Sequence, residues 1–390
     1  MIRNPILLIL FLLFIEIFVL SISNHARFKK YFNFLPAVFW IYFLPMIAST
    51  FSILDPKSSI YQMITTNILP ASLLLLLISV DIKAIMRLGR PALIMFFSGS
   101  LGIILGAPFI FFLFKNLIGP QFWSGFGALS ASWTGGSANM IAVKEALNTP
   151  DPVFLPMVIV DTIVPYVWMG ILVAMVSLQP LYDRWNNSNR KILDELSQKI
   201  SSVAAQKTQQ LKLNKMILIV GLAFFGSLIS QYAAKLLPEI KDMISTYAWT
   251  IIVVSVLGIS LSFTSAKRLD QYGTSKIGYF MLYFVLTSIG AKANISNIGS
   301  TLILIAAGFL IVIFHAGVLL FVARLIKAPM FLVAVASQAN IGGVASTPIV
   351  AEIYQPGLAS VGLLLAILGN IVGTGFGLVV GQLCRLVTQL

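Results

Sequence analysis

The residues that could do chemistry in this 390-residue sequence gather at two places, each centred on a pair of glycines. The first reads Ser132-Trp133-Thr134-Gly135-Gly136-Ser137-Ala138-Asn139, and the second Gln338-Ala339-Asn340-Ile341-Gly342-Gly343-Val344-Ala345-Ser346-Thr347. Both lie inside apolar runs. Paired glycines let the backbone leave a helix, and small polar side chains beside them can replace lost hydrogen bonds or coordinate a solute. A helix that restarts after the glycines presents N–H groups of partial positive charge, suited to a carboxylate or phosphate. The candidate substrate-binding residues are therefore Ser132, Thr134, Gly135, Gly136, Ser137, Asn139, Gln338, Asn340, Gly342, Gly343, Ser346 and Thr347. A lone Ser or Thr in a membrane helix is explained by packing, but their concentration beside two glycine pairs points to a polar site.

Asp161 and Asn370 are the candidates for a coupling-ion site. In FLPMVIVDTIVPYVWMGIL, Asp161 falls about 10 Å along its helix at 1.5 Å per residue, a depth where an ionisable group is costly and reads as functional. Pro165 has no N–H to close the bond to the carbonyl of residue 161, so one residue offers a carboxylate and a freed carbonyl. Two such oxygens suit sodium, and the carboxylate suits a proton. Asn370 holds the equivalent place in the second half, among Gly369, Gly373 and Gly375. Lys144 is expected to snorkel to the surface, Glu145 and Glu352 to sit at an interface, and Glu16 has no assigned role. No catalytic residues are expected: only Asp161 lies within a span as an aspartyl protease would require, and His25 and His315 belong to no ligand motif. No cofactor and no metal beyond a sodium site are implied.

These residues must be positioned by membrane helices. At 58% hydrophobic and 10% charged, the chain has the composition of a polytopic membrane protein, and its net charge of +13 resides in loops between apolar runs rather than in a nucleic-acid surface. Apolar runs fall at about 5–22, 34–51, 62–80, 91–114, 154–178, 214–236, 245–266, 276–290, 299–323 and 357–383, and each reads as a span. The first has a basic start but no small-residue cleavage pattern, so it reads as a span and not a signal peptide. Aligning Gly135-Gly136 with Gly342-Gly343 pairs Val143 with Val350 and Glu145 with Glu352, so the chain reads as two copies of one unit.

The expected fold is an all-α polytopic membrane protein of two inverted repeats. Each has five transmembrane helices plus one Gly-Gly re-entrant or broken helix. The first repeat is 1–178 with its Gly-Gly segment at 122–147, a cytoplasmic polar linker covers 179–213, and the second repeat is 214–390 with its segment at 328–353. Treating the Gly-Gly segments as hairpins, with both termini extracytoplasmic, places more of the 26 Lys and Arg residues in cytoplasmic loops than treating them as crossings does. The linker carries Ile192, Leu193, Leu196, Ile200 and Val203 near helical spacing, as an amphipathic surface helix would. Cys384, the sole cysteine, excludes an intrachain disulfide.

Two inverted five-span units, each with a glycine-pair segment, resemble the architecture of bacterial sodium-coupled glutamate and citrate (2-hydroxycarboxylate) transporters. Through Gly135-Gly136-Ser137-Ala138-Asn139 and Gly342-Gly343, the whole chain is more closely similar to the YjcL-like proteins, domain-of-unknown-function family 819. The tips read Gly-Gly-Ser-Ala and Gly-Gly-Val-Ala, lacking the third glycine typical of the citrate transporters. The resemblance implies a bacterial inner-membrane protein, a homodimer, and a mobile hairpin-bearing part working against a scaffold. Together these readings give a secondary transporter of a small polar, anionic solute, coupled to sodium or protons by alternating access. A channel or scaffold subunit is the alternative, and an intramembrane enzyme a further one. No ATP-binding motif such as G-x-x-x-x-G-K-[ST] is present, which argues against a self-contained primary pump.

Overall fold

The computed structural model describes residues 1–23, 37–189, 212–240, 245–292 and 301–390, with isolated positions between them. The described residues are overwhelmingly helical and form no strand, and Ile2 and Leu54 make an isolated bridge. The first helices are α1 (Pro5–Ser23), α2 (Ala37–Thr50), α3 (Ser59–Ile78), the short α4 (Ile82–Met86) and α5 (Gly89–Ile118). There follow α6 (Trp123–Gly135), α7 (Ser137–Ala146), α8 (Asp151–Ala174) and α9 (Gln179–Asn186). The second half holds α10 (Leu213–Lys235), α11 (Thr246–Ser262), α12 (Thr274–Lys292), α13 (Thr301–Ile326), α14 (Met330–Ile341), α15 (Gly343–Tyr354) and α16 (Ala359–Val387).

Each of the ten apolar runs coincides with one helix. Among the described residues, 7 helices are long and apolar enough to cross a membrane, or 8 if α11 and the turn bent from it by 91° count as one span. The protein is an integral, all-α membrane protein. Of the amphipathic pattern in the linker, Ile192 and Leu193 are among the described residues and Leu196, Ile200 and Val203 lie outside them; α9 covers the linker's first residues.

The chain forms two compact units, and each draws on both halves of the sequence. The first comprises Met1–Val80, Asn148–Thr162 and Lys207–Thr301, and is built around α3. In lipid no hydrophobic effect drives helices together, so close packing at small residues does. Gly226 of α10, Gly258 of α11 and Gly278 of α12 each face a leucine of α3: Leu74, Leu77 and the Leu75–Leu76 pair. On α1, Leu8, Leu12, Ile15 and Val19 are buried, while Leu7, Leu10, Phe14 and Ile17 lie on the open, lipid-suited face.

The second unit comprises Asp81–Leu147, Ile163–Gln206 and Leu302–Leu390, and it contains both glycine pairs. The legs α6, α7, α14 and α15 have 13, 10, 12 and 12 residues, so each is about 15–20 Å long, short of a bilayer core of about 30 Å. Both pairs fold back. Leu147, just past α7, packs against Gly127 near the start of α6, with Cδ1 2.8 Å from where a Gly127 Cβ would stand. A straight helix would hold those residues about 30 Å apart. In the second pair the N–H of Met330 donates to Asp183 Oδ1 at 2.9 Å, and the Tyr354 hydroxyl donates to the carbonyl of Leu172 at 2.7 Å. Those acceptors are at most about 20 Å apart along α8 and its extension, whereas an unbroken α14–α15 would separate the donors by about 36 Å.

Candidate functional site

Each tip is made by the second glycine of its pair. Gly136 has φ 84° and ψ 175°, a conformation open essentially to glycine alone, and Gly343 has φ 61°, in the left-handed region. The aligned residues then make the same bond. Asn139 Nδ2 donates to the carbonyl of Gly135 at 2.6 Å, and Ser346 Oγ donates to the carbonyl of Gly342 at 2.9 Å. In both cases a side chain in the first turn of the outgoing leg satisfies a carbonyl that the ended helix has left open. Neither α7 nor α15 has a side-chain cap at its N-terminus.

The legs leading into the tips are buried from Ser124 to Gly135 and from Met330 to Ile341, whereas residues 136–138 and 342–344 are part-open. Around these openings stand Ser132, Thr134 and Asn139 on the first hairpin and Gln338, Asn340, Ser346 and Thr347 on the second, all buried. Some are committed to the hairpins themselves. Thr134 donates to the carbonyl of Ser130, Thr347 to that of Gly343, and Gln338 Nε2 to Ser346 Oγ at 2.6 Å. Within the stretches 132–139 and 338–347, three buried polar atoms have no partner: the Trp133 indole N–H, Gln338 Oε1 and Asn340 Nδ2. An unmatched buried donor or acceptor costs about 1–3 kcal/mol, and such groups mark where a ligand or water belongs.

The last helix seats the first hairpin. On α16, Gly369, Gly373, Gly377 and Gly381 recur at every fourth residue and face Gly135, Ala131 and Gly127 of α6 in antiparallel order. A Cβ on Gly373 would stand 2.6 Å from the Gly135 Cα, and one on Gly369 2.5 Å from the carbonyl oxygen of Thr134. Thr374, one residue along, donates to Asn139 Oδ1 at 2.5 Å. Asn370 is brought to the same tip, its Oδ1 3.6 Å from where a Gly136 Cβ would be. Asp161, part-buried on α8, belongs to the first compact unit and not to the one that carries the tips.

The second hairpin is held by residues to which the sequence analysis gave no role. His315 of α13 bonds through Nδ1 to the carbonyl of Gly99 at 2.8 Å and through Nε2 to Ser337 Oγ at 3.0 Å. Ser337 Oγ also accepts from Trp168 Nε1 at 2.9 Å. A carbonyl can only accept, so Nδ1 carries the proton and the serine hydroxyl donates to Nε2. Every group in this chain is satisfied with the imidazole neutral. At the hairpin's base, Asp183 caps α14 and Asn186 donates to the carbonyl of Ala328 at 2.9 Å, so the start of the linker is a clamp. An isolated His or Thr in an apolar span is the signal that would have found His315 and Thr374.

Lys144 does not snorkel. It is buried within α7 and its Nζ lies 2.8 Å from Glu145 Oε1, also buried, because the leg is enclosed and no surface is within reach of the chain. Glu352, the equivalent of Glu145, is exposed and accepts from the N–H of Gly357 at 3.0 Å. Among the described residues no group of three or more His, Cys, Asp or Glu could hold a metal ion.

The chain is 24% identical over 345 residues to the "Uncharacterized membrane protein YjcL" of Bacillus subtilis (strain 168), covering 85% of this chain and 86% of that protein. Residues 11–387 match the family described as "Protein of unknown function (DUF819)". With the match spanning nearly the whole chain, both glycine pairs included, this protein is a member of the DUF819 family.

Proposed function

We propose that this protein is a secondary active transporter of a small polar, anionic solute, working by alternating access with sodium or protons as coupling ion. The observation that carries the reading is the pair of matched glycine tips, part-open at the ends of buried incoming legs in one compact unit, with buried polar atoms without partners on the residues beside them. Uncapped leg N-termini favour anionic groups, and the unpaired indole and amide atoms favour a solute with both donors and acceptors. The two hairpins enter from opposite faces of an inner membrane as parts of inverted repeats, with both termini extracytoplasmic. The unit bearing them is the moving part, and the other is the scaffold through which a homodimer forms. A channel or scaffold subunit would need the spans but not two strained polar tips alike in detail.

Asp161 supplies the carboxylate for the coupling ion, and Asn370 serves the first tip. Replacing Asp161 by Asn is expected to remove the dependence of uptake on a sodium or pH gradient while the protein folds and inserts normally. Full ion-driven uptake by Asp161→Asn would make the carboxylate structural and move the coupling site to the neutral oxygens of the tips.

A further inference from the structure

A second acidic group lies deep in the protein, away from the glycine pairs in sequence and in the other compact unit. Glu16 stands near the middle of α1, on the face that carries Leu8, Leu12, Ile15 and Val19. Its exposure is 0%, and neither carboxyl oxygen has a hydrogen-bond partner. The described ion pairs are Arg3 with Asp55 and Lys144 with Glu145, so no described Lys, Arg or His neutralises it. The helices packed on α1 are α2 and α12. The one titratable side chain of α2 is Tyr42, which has Asp151 as its charged neighbour. On α12 these groups are Lys276, Tyr279, Tyr283 and Lys292, of which Tyr283 lies within electrostatic reach of Glu16.

A bare carboxylate without water, hydrogen bonds or a counter-ion would cost far more than a folded membrane protein can absorb, so the group must carry a cation. Sodium needs several oxygen ligands, whereas a proton needs only the carboxyl itself. We propose that Glu16 is an exchangeable proton-binding site within the membrane, separate from the glycine tips and from Asp161. Binding converts the carboxylate to the neutral acid, with no other bond made or broken. Release leaves a full negative charge in the seam between α1 and α12, which must then open to water or to a counter-ion. The proposal does not depend on the transporter reading, because a proton site is detectable without any transported solute.

The test is infrared spectroscopy of the full-length protein in lipid bilayers, using the proton itself as ligand. Wild type is expected to show a protonated-carboxyl carbonyl band that shifts in deuterated water, shifts again with ¹³C-carboxyl glutamate, and disappears as the pH is raised. Glu16→Gln, which keeps the size and the uncharged form, is expected to lose that one band. Should Glu16→Gln fail to fold, the glutamate-labelled wild type beside Tyr283→Phe serves instead, and loss of the Tyr283 hydroxyl is expected to move the band. An unchanged band in Glu16→Gln would overturn the assignment. So would a glutamate band indifferent to both deuterium and pH until the protein unfolds.

Discussion

Asn139 and Ser346 differ in side chain, yet each reaches back four residues to the carbonyl of the first glycine of its pair. This shared bond explains why the position takes a small polar residue in both halves. It also separates two kinds of polar group at the tips: those spent on closing a hairpin, and those, such as Trp133, Gln338 and Asn340, with an atom left over. The Lys144–Glu145 pair shows a third use of charge. Removing one partner of a buried pair leaves an uncompensated ion, at a cost of about 3–5 kcal/mol, whereas removing both is often close to neutral. Lys144→Met and Glu145→Gln are each expected to lower thermal stability in detergent markedly, and Lys144→Met with Glu145→Met to recover most of it. Two single variants as stable as wild type would mean that water reaches the charges. Lys144 and Glu145 were visible in the sequence, but their pairing was not, because nothing local says that a ten-residue leg will be enclosed on all sides.

The element that decides the site's geometry is α16. Its glycines at every fourth residue bring the backbone of α6 into direct contact, fixing the first tip beside Asn370 and Thr374. The role of each glycine can be told apart by what a methyl group would meet. At Gly373 it would strike the backbone of Gly135, while at Gly375 nothing lies within 4 Å. Gly373→Ala is therefore expected to cost about 1–3 kcal/mol and to weaken any activity of the first tip, and Gly375→Ala to be neutral or slightly stabilising. Equal stability for the two variants would refute the close packing of α6 on α16. The breaks were legible from the paired glycines, which left a broken span and a hairpin both open, and loop charge favoured the hairpin. The partner of α6 was not, since Gly127 and Gly381 are joined by packing between segments far apart in sequence.

For the molecule as a whole, the bilayer made the helix inventory easy to read, because a span needs a certain apolar length and each such run became a helix. The division into compact units was harder. The repeat read from the sequence would divide the chain near its middle, but the packing gathers both glycine hairpins into one unit and leaves Glu16, Asp161 and α3 in the other. That gathering underlies the transporter reading, and transport by the tips is its central claim. The most direct measurement is uptake of labelled small carboxylates and amino acids into proteoliposomes, with and without an imposed sodium or pH gradient, by wild type and by Gly136→Val. A β-branched side chain does not fit the conformation of Gly136, at a cost of about 1–3 kcal/mol confined to the tip. The expected result is gradient-driven accumulation of a solute by wild type and its loss in folded Gly136→Val. Accumulation at the wild-type rate by Gly136→Val, or a flux that only ever runs downhill whatever gradient is imposed, would contradict the account.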